Sequence, residues 1–75
     1  MNNKRRQQLG ILIGKIEDIK DELEMITTDE QYYFDNMPEN LQGSMRGSDS
    51  EEAIDKMEDA IACLEEAIET IEEII

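Results

Sequence analysis

The chain has 75 residues, with 20 acids against seven bases and no histidine, giving a net charge of −13. That length limits it to one small domain, and the charge disfavours direct nucleic-acid binding, because each phosphate contact needs a cation. One cysteine and no histidine exclude an internal disulfide and leave zinc and di-iron sites without their ligands, and Cys63 fits a reducing, cytoplasmic setting.

The first predicted element is a helix over about residues 5–35. Leu9, Leu12, Ile16, Ile19, Leu23 and Ile26 recur in alternating steps of three and four, and Tyr33 keeps their register. Thr27 and Glu30 have capping-box spacing, so a bend or restart at Thr27-Thr28 competes with one continuous helix. The segment from Leu9 to Ile16 is apolar nearly all round, counting Ile11 and Ile13, which predicts cover on more than one side. Interrupted by Gly10 and followed by Gly14 and Lys15, it is too short for a signal-peptide core or a membrane span. The two glycines have the spacing of close helix contact, or else simply fray a helix start.

Asn36 and Pro38 end this helix, since proline lacks an N–H and pushes the residue before it out of the helical region. Residues 36–50 read as a loop, with one helical turn over Pro38 to Gln42 stopped by Gly43. About fifteen residues exceed the ~2 to 8 that a bundle connection needs, and the surplus points to use. Tyr32, Tyr33 and Phe34 stand at the loop's start and spread over about 300° of a helix, so they cannot all face one core. Tyr33 is expected in the stripe, while Phe34, Met37, Leu41 and Met45 form either a small satellite core or a partner-binding patch.

A second helix is predicted over about residues 51–75, capped by Ser48 with Glu51 or by Asp49 with Glu52. Ile54, Met57, Ile61, Leu64, Ile68, Ile71 and Ile75 form its stripe, with Ala53, Ala60 and Ala67 alongside. The predicted fold is all-α, a two-helix antiparallel hairpin of coiled-coil type. Such a hairpin sets Lys4, Arg5 and Arg6 beside Glu65, Glu66, Glu69, Glu72 and Glu73, relieving charges that oppose each helix's own dipole. One hairpin buries too small a core to stand alone, so it is expected to dimerise into a four-helix bundle. Leu9, Ile13, Ile16, Ile61, Leu64 and Ile68 are the expected interface.

No catalytic constellation is present, and the acidic faces read as solvated helix surface. Cys63 has no histidine to activate it and reads as a small, semi-buried side chain. Neither enzyme activity nor a cofactor is expected.

The block Asp29-Glu30-Gln31-Tyr32-Tyr33-Phe34-Asp35-Asn36-Met37-Pro38-Glu39-Asn40-Leu41-Gln42-Gly43-Ser44, with Arg46 beyond it, precedes a Glu-Glu-Ala-Ile heptad helix. It resembles small acidic helical-hairpin proteins encoded in bacteriophage and prophage genomes, in which a Glu-Gln-aromatic, Asn-x-Pro-Glu, Leu-Gln-x-Ser core joins two acidic helices. The resemblance implies a viral or mobile-element origin and no known active site. Among small acidic phage proteins, many occupy a host protein, including nucleases of CRISPR defence. The expected function is therefore an interaction protein that binds and inhibits a basic host protein, in the manner of an anti-CRISPR or a DNA mimic. Its expected partner-binding residues are Tyr32, Phe34, Asn36, Glu39, Gln42, Arg46, Glu58 and Glu65. The alternatives are an oligomeric sponge that holds an anionic nucleotide with Arg46, the N-terminal bases and the tyrosines, and a structural or assembly accessory.

Overall fold

In a computed structural model, which describes residues 1–75, the chain forms three helices: α1 (Asn3–Asp35), α2 (Glu39–Gln42) and α3 (Met45–Glu72). The two long helices pack antiparallel, as two cross-links between them require. Ser50 Oγ donates to Glu30 Oε2 at 2.6 Å near the elbow, and Lys20 Nζ lies 3.7 Å from Glu65 Oε1 farther along. No helix is long and apolar enough to cross a membrane. The particle measures 58 × 15 × 12 Å. Its radius of gyration of 17.2 Å compares with about 11 Å for a compact domain of this length, so most residues stay near solvent.

α1 starts two residues before the expected Arg5, because the Asn2 side chain caps it, accepting from the Arg5 N–H at 2.8 Å. It runs unbroken through Thr27-Thr28. There the Thr27 hydroxyl donates to the Leu23 carbonyl at 2.8 Å, so its oxygen serves the helix it sits in and does not cap a new one. Gly10 and Gly14 lie on the open side of α1, where an added Cβ would meet nothing within 4 Å. Close packing through these glycines does not occur within the hairpin. Gly10→Ala with Gly14→Ala is accordingly expected to raise stability by about 1 kcal/mol per site. Denaturant melts of the double variant check this, and a loss of stability would show that the outer face of α1 is covered.

The face that α1 turns to α3 differs from the expected stripe. Leu9, Ile13, Ile16, Lys20, Leu23, Thr27, Glu30 and Phe34 are half-buried, whereas Leu12, Ile19, Ile26 and Tyr33 remain 46%, 54%, 57% and 47% exposed. The seam is rotated by about 50° around the helix from the expected one. Two pairings explain the rotation: Glu30 turns in to reach Ser50, and Phe34 turns in over the elbow. The expected stripe of α3 holds as far as Ile71, with Ile54 and Ile68 buried and Met57, Ile61, Leu64 and Ile71 half-buried, whereas Ile75, its last expected member, lies past the end of α3 at Glu72 and is exposed. Leu9, Ile13, Ile16, Ile61, Leu64 and Ile68, assigned from sequence to an interface between chains, thus line the seam within one chain.

Candidate functional site

The connection is not a loop of fifteen residues. α3 begins at Met45, six residues before the expected start, and takes in Gly47, Ser48, Asp49 and Ser50. Neither Ser48 nor Asp49 caps it. Ser44 stands at the N-cap with extended backbone, and its hydroxyl donates backward to the Leu41 carbonyl. What permits the early start is Gly47. It is buried against α2, and a Cβ there would lie 2.0 Å from the Gln42 carbonyl oxygen, so α3 crosses the end of α2 only because this position has no side chain.

Every turn of the elbow is tied. The Asn36 N–H and side-chain amide both donate to the Tyr32 carbonyl, at 3.1 and 2.7 Å, and the Met37 N–H donates to the Phe34 carbonyl at 3.1 Å. The Leu41 and Gln42 N–H groups close the expected helical turn on the Pro38 carbonyl, at 2.8 and 3.1 Å. The Gln42 side-chain amide then reaches back to the carbonyls of Phe34, at 3.2 Å, and Met37, at 3.3 Å. Gln42, expected to face a partner, is instead a half-buried clamp between α1 and α2.

Of the aromatics, Phe34 turns inward and Tyr32 is 71% exposed. The expected satellite core is smaller than four residues: Met37 is buried and Phe34 half-buried, while Leu41 and Met45 lie on the outside. Met45 is displaced outward because Gly47, two residues on, occupies the inward side of the first turn of α3. The elbow therefore displays Tyr32, Asn36 and Arg46, all exposed, around a shallow groove with Tyr33, Pro38 and Leu41 in its walls, while Glu39 is exposed outside that groove.

The second surface is the outside of α3. Glu51, Glu58, Glu65 and Glu72 recur every seventh residue, as do Glu52, Asp59, Glu66 and Glu73, and Asp55 and Glu69 stand in the column between them; all ten are exposed. Only Glu65 is paired, with Lys20, in the single ion pair of the molecule. The expected neutralisation of Glu66, Glu69, Glu72 and Glu73 by Lys4, Arg5 and Arg6 does not form. Continuing the Lys20–Glu65 register places the end of α3 near Ile13, so nearly three turns of α1 extend past it.

Cys63, expected to be semi-buried, is exposed, because its column on α3 lies away from the seam, between the Glu52, Asp59 and Glu66 column and the Ala53, Ala60 and Ala67 column. No group of three or more acid or cysteine side chains is arranged to hold a metal ion. Ser50, Glu30 and Gly47 are the residues that sequence reasoning missed. Glu30 and Ser50 carried a signal only as polar members of apolar registers, and Gly47 carried none. No family model, curated protein or solved structure matches this chain.

Proposed function

We propose that this is an acidic interaction protein of the phage or prophage type, which binds and inhibits a basic, nucleic-acid-handling host protein. The observation that carries this reading is the outer face of α3, where ten carboxylates between residues 51 and 75 are exposed and only one is paired. Ten charges over a segment ~37 Å long are one per ~3.7 Å, close to the 3.4 Å spacing of phosphates along one strand of DNA. A surface built to hold a nucleic-acid strand would meet a similar line of negative charge. Such a field speeds encounter with a basic partner and is weakened by salt. The elbow groove, with Tyr32 and Arg46, adds the contacts that charge alone cannot make specific.

We further propose that the working particle is a homodimer, in which two hairpins build a four-helix bundle. Its support is surface: 5706 Å² is accessible, against about 4,700 Å² for a folded monomer of 8.7 kDa.

The test is a pull-down from host lysate at low and high salt, beside calorimetric titration with cyclic and linear nucleotides. Retention of a basic protein that is displaced by nucleic acid and by salt is the expected result. Glu58→Lys with Glu65→Lys is expected to slow association on the order of tenfold while leaving the fold intact, since the one ion pair lost, at 3.7 Å and open to solvent at its Glu65 end, contributes little. Nucleotide binding with no retained protein would replace this reading with the sponge, whose specific support is Arg46 beside Tyr32 in the elbow groove.

A further inference from the structure

We propose that the exposed stripe of α1 is the dimer contact, covered by α1 of a second copy running antiparallel, with Ile19 on the two-fold axis. This rests on the dimeric reading above and adds which helix meets which, in what direction and in what register.

The stripe Leu12, Ile19, Ile26 and Tyr33 extends about 32 Å along α1, and nothing in the chain covers it. α3 has no comparable surplus, because its own stripe from Ile54 to Ile71 is buried or half-buried against α1. Of the remaining surface of α3, one side carries the acidic columns, where docking would desolvate unpaired carboxylates, and the other offers only the small side chains of Ala60, Cys63 and Thr70 beside Lys56, too little apolar area to cover four large side chains. The apolar surface that remains for α1 to meet is α1 itself.

Charge sets the direction. Beside the stripe, on the side away from the seam, stand Gln8, Lys15, Glu22 and Asp29. A parallel pair would set Lys15 against the partner's Lys15, Glu22 against the partner's Glu22 and Asp29 against the partner's Asp29. An antiparallel pair centred on Ile19 sets Leu12 against the partner's Ile26, Lys15 beside the partner's Glu22 and Gln8 beside the partner's Asp29. The ends match as well. At one end of α1, Met1, Arg5, Ile11 and Leu12 border an open groove, and at the other end Tyr32 and Tyr33 border the elbow groove. The antiparallel register brings Arg5 of one chain onto the partner's Tyr33, a cation over an aromatic face, and gives the overhanging first turns of α1 something to pack on. Over the whole helix, residues 1–20 hold five bases and two acids, while residues 21–35 hold six acids and no base, so antiparallel alignment pairs opposite halves. The area is of the right size too. The surface in excess of a compact monomer is about 1,000 Å², and a standard interface takes about 800 Å² from each partner.

Cysteine cross-linking tests the register. In a Cys63→Ser background, Ile19→Cys is treated with a short bis-maleimide at micromolar protein, as is an equimolar mixture of Leu12→Cys and Ile26→Cys chains. Light scattering and circular dichroism accompany each variant. The expected result is that Ile19→Cys links to itself, that Leu12→Cys links to Ile26→Cys, and that Leu12→Cys alone does not link, its two copies being about 21 Å apart. Should a stripe variant lose helicity, Arg5→Cys mixed with Tyr33→Cys reports the same register from the ends. Self-linking of Leu12→Cys without the mixed product would overturn the antiparallel arrangement. A particle of two-chain mass with no stripe cross-links would place the contact elsewhere and overturn the proposal while leaving the dimer standing. Cross-links that form only to another protein in host lysate would also overturn it, by assigning the stripe to a foreign helix. A one-chain mass would overturn the dimer as well.

Discussion

Gly47→Val is expected to lower the melting temperature by roughly 10 °C or more, although nothing in the sequence marks this glycine out from the other three. A Cβ at position 47 would fall 2.0 Å from the Gln42 carbonyl oxygen, 2.5 Å from its carbon and 2.7 Å from its Cα. All three are backbone atoms, so no flexible side chain can yield, and α2 must separate from α3. Overpacking of this kind costs about 1 to 3 kcal/mol, and each kcal/mol moves the midpoint of a domain this small by about 4 to 8 °C. The displacement also pulls on the Gln42 amide and its bonds to Phe34 and Met37. Thermal melts of Gly47→Val beside Gly43→Val separate packing from glycine content, because an added Cβ at Gly43 meets nothing within 4 Å. Equal losses at both positions would contradict the close crossing.

Ile68→Asp is expected to unfold the protein outright. Ile68 is one of only three buried hydrophobic residues, with Met37 and Ile54, and no fully buried large side chain exists to compensate for its loss. The substitution removes about 1.5 to 3 kcal/mol of apolar burial and asks for a carboxylate in the same place, at a further cost of several kcal/mol unless the chain opens. Lys20, which lines the same depression as Ile68, is already shared with Glu65 in a molecule of net charge −13. Far-ultraviolet circular dichroism should show loss of most helical signal at every protein concentration. A folded Ile68→Asp variant would mean that the seam between α1 and α3 contributes less than the surface outside it.

The stripe of α3 was legible because it is single: seven apolar residues in one register, flanked by charge, admit one buried face. α1 was harder to read for the opposite reason. Leu9, Leu12, Ile13, Ile16, Ile19, Leu23 and Ile26 fill three neighbouring columns, and the most regular choice among them is not the one turned to α3. The seam that forms includes Lys20, Thr27 and Glu30, whose polarity hid it. Each is satisfied by a partner that sequence does not reveal: Glu65, the Leu23 carbonyl and the Ser50 hydroxyl. The elbow was legible in its stops, Asn36 with Pro38 and then Gly43. Its second half was not, because Gly-Ser-Met-Arg-Gly-Ser-Asp-Ser has the composition of a loop and becomes helical only when packed against α2. Of the candidate site, the exposed carboxylates followed directly from helical periodicity. The inward turn of Phe34 and Gln42 depended on where α3 begins.

In the proposed dimer, a hairpin with three buried hydrophobic residues and an apolar stripe left open along one helix would be half of the working particle. The most direct measurement is the mass of the folded protein by light scattering across micromolar concentrations, for the natural sequence and for Ile19→Glu. Twice the chain mass of 8.7 kDa is expected for the natural sequence, and for Ile19→Glu a fall toward one chain together with lost helicity on dilution. A natural chain that stays fully helical at the mass of a monomer throughout would contradict the dimer.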